Sequence, residues 1–183
     1  NGQPALIDAT LRGQLVPVRQ LVGAGADLRV TNDEGNTPLA IAATAGQTEL
    51  VGYLLSGGAS PDARNKADET PLMLAARRGH VASVKTLLAG GARTELVSAS
   101  GATATAMAVS SCSTETVASL LGPTDAAPAP LDDGRTLLMA ATATCPPQLV
   151  ELLAKPSSIN AVDPLGRTAL WHAADKGNLP ALE

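Results

Sequence analysis

The sequence predicts an all-α solenoid of helix-turn-helix units joined by projecting hairpin loops, and three sets of landmarks running in one register carry that prediction. Thr37-Pro38-Leu39 recurs as Thr70-Pro71-Leu72, weakens to Thr103-Ala104-Thr105 and Thr136-Leu137-Leu138, and returns as Thr168-Ala169-Leu170, at steps of 33, 33, 33 and 32 residues. The apolar pairs Leu21-Val22, Leu54-Leu55, Leu87-Leu88, Leu120-Leu121 and Leu152-Leu153 keep the same beat. So do Gly25-Ala26, Gly58-Ala59 and Gly91-Ala92, with loops holding Gly35, Gly101, Gly134 and Gly166. The 183 residues include no Phe, one Trp and one Tyr, so the core must be built from Ala, Leu and Val, which suits thin layers of closely packed helices.

Each unit follows in order. Pro4-Ala5-Leu6, one step before Thr37, opens a faded first unit. In the second, Thr37 is the N-cap and Pro38 takes the first helical position, where a missing N–H costs nothing. Leu39, Ala42 and Ala43 form a narrow apolar stripe on a short helix that Gly46 closes in a left-handed cap. Leu50, Val51, Leu54 and Leu55 line one face of the second helix, Gly57-Gly58 ends it, and a polar loop long enough for a hairpin follows. Thr70 to Ala92 repeats this unit. The fourth, with Ser98, Ser100, Thr103, Thr105, Ser110 and Ser111, is polar where its neighbours are apolar and is expected to be the least stable layer. The fifth loses one residue between Cys145 and Leu149, and Pro146-Pro147 replaces the start of its second helix. Gly122 to Pro130 reads as a Pro-rich loop inside the array, because Leu121 to Gly134 spans the same distance as Leu88 to Gly101. The sixth unit stops at Glu183, before the leucine pair that should end its second helix. The reading is thus one array over residues 1–183 whose units begin near 4, 37, 70, 103, 136 and 168, the last incomplete; a trimmed chain or further domains would explain that ending.

Several functions are excluded by composition. A formal charge of −4 argues against a nucleic-acid partner, since phosphate binding needs a net basic face. The scarcity of aromatic rings argues against stacking on single strands. Gly, Pro, Asp or Arg interrupts every apolar run short of the ~18 residues that span a bilayer, so no membrane insertion is expected.

Thr37-Pro38-Leu39 with Ala42-Ala43, Gly46, Val51, Leu54-Leu55 and Gly58-Ala59 resembles the ankyrin repeat, as does Thr70-Pro71-Leu72 through Gly91-Ala92, and the 33-residue period is that family's. The resemblance extends over essentially the whole chain. It departs at the family's His after Thr-Pro-Leu, replaced here by Ala40, Met73, Ala106, Met139 and Trp171. That removes a side chain which braces neighbouring loops, and softer loops are the expectation.

The candidates for chemistry are few. Cys112 lies 33 residues after Gly79 and Cys145 33 after Cys112, so both take the place of a helix-ending Gly in adjacent units. A disulfide would imply an oxidising compartment such as a periplasm or the cell exterior; two free thiols would leave the cytoplasm open. Stacked helices ~8–10 Å apart resist the ~7 Å limit on Cα separation in a disulfide, although the shortened turn after Cys145 could close the gap. His80 shares that edge, yet equivalent positions on successive layers are too far apart to ligate one metal ion. His172 reads as a packed residue beside Trp171. Gly23-Ala24-Gly25-Ala26 follows a helix rather than a strand and reads as helix-ending punctuation, and the pairs Asp33-Glu34 and Asp132-Asp133 read as solvated tips, not a calcium loop. No activated nucleophile or acid–base pair is recognisable, so no catalysis, cofactor or metal is expected.

The resemblance implies binding of a protein partner on the concave face, made of hairpin tips and the exposed side of the first helices. By position, the tips supply Asp33, Glu34, Asn36, Lys66, Glu69, Asp132, Asp133, Arg135 and Arg167. The helices supply Arg77, Arg78, Ser110, Ser111, Asp175 and Lys176, with Trp171 the one large aromatic anchor. An inhibitory, immunity-type partner is one version of this reading. A regulatory or targeting segment of a larger enzyme or effector is a rival, as is a small-ligand binder opened by the softened fourth unit.

Overall fold

The structure, a computed structural model, describes residues 4–121, 131 and 133–178; Asp132 and the Pro-rich stretch 122–130 lie outside them. Every element found among the described residues is helical. Helices pair as α1 (Ala5–Leu11) with α2 (Leu15–Gly23), α3 (Pro38–Thr44) with α4 (Thr48–Ser56), α5 (Pro71–Arg77) with α6 (Val81–Ala89), α7 (Ala104–Ser110) with α8 (Thr114–Leu121), and α9 (Leu137–Thr144) with α10 (Pro147–Leu153). A single turn, α11 (Pro156–Ile159), precedes α12 (Ala169–Lys176). The first helices α1, α3, α5, α7, α9 and α12 stack side by side, and α4, α6, α8 and α10 form a parallel outer row.

Every first helix after α1 is started by the same device. The hydroxyls of Thr37, Thr70, Thr103, Thr136 and Thr168 accept the backbone N–H three residues on, at 3.2–3.3 Å. Gly13, Gly46, Gly79 and Gly177 close first helices at φ 66–68°, the left-handed turn expected of Gly46. Burial is wider than the expected narrow stripe: Leu39, Ala40, Ile41, Ala42 and Ala43 are all at most 6 % exposed, because α3 is enclosed by its neighbours on both sides and by α4 behind. Ala42, Ala75, Ala108, Ala141 and Ala173, one per layer, are each 0 % exposed. With only a methyl at that position, successive first helices can approach closely.

The loops are turns rather than strands. The N–H of Asn32, Asn65, Ser98, Leu131 and Asp163 donates to the carbonyl of Asn36, Glu69, Ala102, Arg135 and Arg167, closing each at 2.8–3.1 Å. Adjacent loops are tied by Lys66 N–H to Glu34 O at 3.0 Å and Ala99 N–H to Ala67 O at 2.9 Å. The lost family histidine is partly replaced: Met73 and Met139 each present Sδ to the N–H of Thr70 and Thr136 at 3.4 Å.

Cys112 and Cys145 are joined as a disulfide with Cα atoms 5.3 Å apart. The spacing argument against the bond fails because the two residues are not conformationally equivalent. Cys112 occupies the left-handed position of its glycine counterparts, φ 52°, whereas Cys145 is extended at φ −97°, ψ 162°, and swings toward the fourth layer.

Gly46 and Gly58 separate strain from crowding. A Cβ at Gly46 (φ 67°) would meet the His80 ring at 2.7 Å, and that ring is pinned by its Nε2 contact with Thr44 O at 3.1 Å; at Gly58 (φ 89°) a Cβ would meet nothing within 4 Å. Gly58→Ala should lower stability by the left-handed cost alone, about 1–2 kcal/mol, and Gly46→Ala by clearly more. Urea unfolding of both variants checks this, and equal losses would contradict it.

Candidate functional site

Two rows of side chains line one side of the stack. In the loop row Asp33, Glu34, Lys66 and Asp133 are exposed, while Arg135 and Arg167 are half-buried. In the helix-end row Arg77, Arg78, Ser110, Ser111, Asp175 and Lys176 are exposed. Between the charged third layer and the fifth, the fourth offers only small groups here, Ala99, Ser100, Ser110 and Ser111.

A polar ladder fixes the loop row over layers two to four. Asn32 Oδ1 accepts the N–H groups of Glu34 and Asn36 at 3.0 and 2.9 Å, and Asn65 Oδ1 accepts those of Ala67 and Glu69 at 2.9 Å each. Asn65 Nδ2 then donates to Asn36 Oδ1 at 2.9 Å and to Glu69 at 3.3 Å. Glu69 pairs with Arg77, whose guanidinium also reaches Met107 Sδ at 3.4 Å. Asn36 and Glu69, expected among the displayed tips, are therefore largely withdrawn: Asn36 is 8 % exposed and the Glu69 side chain 13 %. These links brace the loop row in the layers where the family's histidines are missing.

Charge pairing singles out the third layer. Of the thirteen Lys and Arg residues, Lys66 and Arg78 alone, among the described residues, have no partner for the cationic group. Lys66 belongs to the loop row and Arg78 to the helix-end row of the same layer. Asp175 and Lys176 pair with each other at 3.3 Å, and Arg135 is held by Asp133 at 2.7 Å.

The sixth layer carries a different cluster. Asp163, 4 % exposed, accepts the N–H groups of Leu165 and Arg167 at 2.9 Å, the Arg167 guanidinium at 2.8 Å and His172 Nε2 at 3.0 Å. Burial works to raise its carboxyl, yet the Arg167 N–H and guanidinium, the Leu165 N–H and His172 together hold it well below the usual carboxylate range. The Arg167 guanidinium lies over the Trp171 ring, 4.7 Å from its centre. Trp171 is 43 % exposed, whereas its counterparts Ala40, Met73, Ala106 and Met139 are at most 5 % exposed beneath the next layer. It lies in the last described layer, with no further layer over it among the described residues. Among the described residues no three His, Cys, Asp or Glu side chains converge on a metal position, and no helix is long and apolar enough to cross a membrane.

The family model for ankyrin repeats matches residues 6–98, 45–128 and 105–183, which together take in nearly the whole chain. The chain belongs to the ankyrin repeat family. Its structure is similar to a chain in the complex of the Bd0816 predatory endopeptidase from Bdellovibrio bacteriovorus with immunity protein Bd3460, at TM-score 0.87 and 26% identity, covering 100% of this chain and 96% of that one. It is also similar to the ankyrin repeat domain of Bcl-3, a member of the IkappaB protein family, at TM-score 0.87 and 29% identity, covering 99% of this chain and 84% of that one. No curated protein matches it. Ankyrin repeats are protein–protein interaction modules.

In this ankyrin array the ladder was missed from sequence although a signal was there. Asn32, Asn65, Ser98 and Asp163 each stand five residues before Thr37, Thr70, Thr103 and Thr168, a register that suits side chains folding back on their own turn. The lowered Asp163 pKa sets a pH dependence. Its contribution is present above the unfolded value of about 3.9 and is lost as pH falls through the folded value. Asp163→Asn should therefore be less stable than wild type at pH 7, with the difference shrinking as pH falls below about 4. Thermal unfolding across that range reads it; a constant difference would contradict the assignment.

Proposed function

We propose that the chain is a non-catalytic binding module that captures a protein partner on its loop and first-helix face, acting as an inhibitory, immunity-type ligand of a hydrolytic enzyme. The observation that carries this reading is the pairing of a self-braced loop row with two cations left without partners, Lys66 and Arg78, in one layer of a surface whose other described cations are engaged. A surface whose charges are already satisfied internally gains little from a partner's carboxylates, whereas unpaired cations over a preorganised backbone lose little on docking. The small side chains of layer four beside them leave room for a protruding loop of the partner. Support for an immunity-type role comes from the similarity to a chain of the endopeptidase–immunity protein complex, which extends over the full length of this chain. Asp33, Glu34, Asp133, Arg135 and Arg167, with Asp175 and Lys176, form the outer parts of the same proposed contact. Arg77 contributes through its pair with Glu69, and Trp171 in the last described layer.

The test is co-purification from the organism that encodes the chain, with wild type set against Lys66→Glu/Arg78→Glu, followed by assay of the captured protein's hydrolytic activity with and without the array. Charge reversal should weaken capture at least about tenfold, as expected for rim charges that steer and hold an acidic partner, and wild type should lower the enzyme's activity. Undiminished capture by the folded variant would move the contact elsewhere. Capture without any loss of hydrolytic activity would remove the inhibitory role.

A further inference from the structure

Three junctions, between layers two and three, three and four, and five and six, are clasped along the turn edge by a side chain that reaches back to the preceding first helix. His80 Nε2 meets Thr44 O at 3.1 Å between layers two and three, and Ser111 Oγ meets Ala76 O at 3.5 Å between three and four. Asn178 Nδ2 donates to Thr142 O at 2.9 Å and to Cys145 O at 3.1 Å between five and six. Between layers four and five the position of His80 and Asn178 is Pro146, which has neither a side-chain donor nor an N–H.

Other observations fall on that junction. The contact of α7 with α9 is thinner than any other between consecutive first helices. On the outer side an open groove separates α8 from α10, bordered by Glu115, Ala118, Glu151 and Leu152. On the loop side a recess bordered by Ser100 and Leu131 opens at the same level. The disulfide crosses this junction. Its anchor Cys112 holds φ 52°, a conformation that disfavours a side chain and that the array elsewhere gives to Gly46 and Gly79.

We propose that layers four and five meet at a seam which the Cys112–Cys145 disulfide latches, so that thiol–disulfide exchange with a dithiol reductant converts one continuous stack into two hinged blocks, α1–α8 and α9–α12. A reductant thiolate attacks Sγ of Cys112, the half-buried member of the pair; the S–S bond breaks and Cys145 leaves as a thiolate that takes up a proton. The reductant's second thiol then displaces Cys112 from the mixed disulfide, so two protein sulfurs are reduced and the dithiol leaves oxidised. The new Cys145 S–H has an acceptor in place, Val109 O at 3.3 Å. If the concave face binds a partner across both blocks, that contact is presented rigidly only by the oxidised chain; this last consequence rests on the proposed function, the seam does not.

The experiment is amide hydrogen exchange on the full chain, oxidised, after dithiothreitol, and after reoxidation with oxidised glutathione. The Cys112→Gly/Cys145→Ser variant is measured alongside, because glycine relaxes the left-handed turn while removing the latch. Reduction and the variant should each speed exchange in α9, α10 and α12 at least about tenfold while α3 to α6 keep their protection, and reoxidation should restore the slow rates. No change on reduction, an equal acceleration in every helix, or failure of reoxidation to restore protection would overturn the seam. Whether a captured partner is also released on reduction is read separately and bears only on the concave-face reading.

Discussion

No layer of this array can bury its own faces, and the stack rests on how closely the first helices approach. The alanine that recurs at Ala42, Ala75, Ala108, Ala141 and Ala173, fully buried each time, makes that approach possible. With almost no aromatic volume available, the core is continuous only because each thin layer is completed by the next. The consequence is seen in the last described layer: Leu170 is 65 % exposed, whereas Leu39 and Leu72, covered on both sides, are 0 % exposed. Stability in such an array is local, a sum over layers and junctions, so a single altered junction can change the behaviour of the whole.

The same logic organises the surface. Backbone polar groups of the loops must be satisfied without strands, and short side chains folding back on their own turn do this at Asn32, Asn65 and Asp163. Once fixed, those side chains bridge to the next layer, as Asn65 does to Asn36, and the loop row becomes a rigid platform. The proposed function draws on what the platform leaves unsatisfied. Internal pairing neutralises Arg77, Arg135 and Arg167, and among the described residues the uncommitted positive charge gathers on Lys66 and Arg78.

Most of the fold was legible because its signals are periodic and local. Thr37 and Thr70 cap helices, Pro38 and Pro71 start them, and Gly46 and Gly79 end them, each through backbone chemistry visible in a single residue type. The site was less legible because exposure and pairing depend on neighbours distant in sequence. Arg77 and Arg78 look alike as letters, yet one is held by Glu69 eight residues earlier and the other is free. Trp171 occupies a position that is buried in other layers, and only the absence of a covering layer among the described residues exposes it. The disulfide lay between: the 33-residue spacing located both cysteines on one edge, but the extended backbone of Cys145 that joins them goes with the shortened turn that follows it at Pro146-Pro147.

The central claim is that partner binding uses the loop and first-helix rows, with layer three at its centre. Hydrogen exchange of the array alone and in complex with its captured partner tests it most directly. The account predicts new protection in the loops at 32–36 and 65–69 and at the ends of α5 and α7, with α4, α6 and α8 unchanged. Protection confined to α4, α6 and α8 on the opposite side would contradict it.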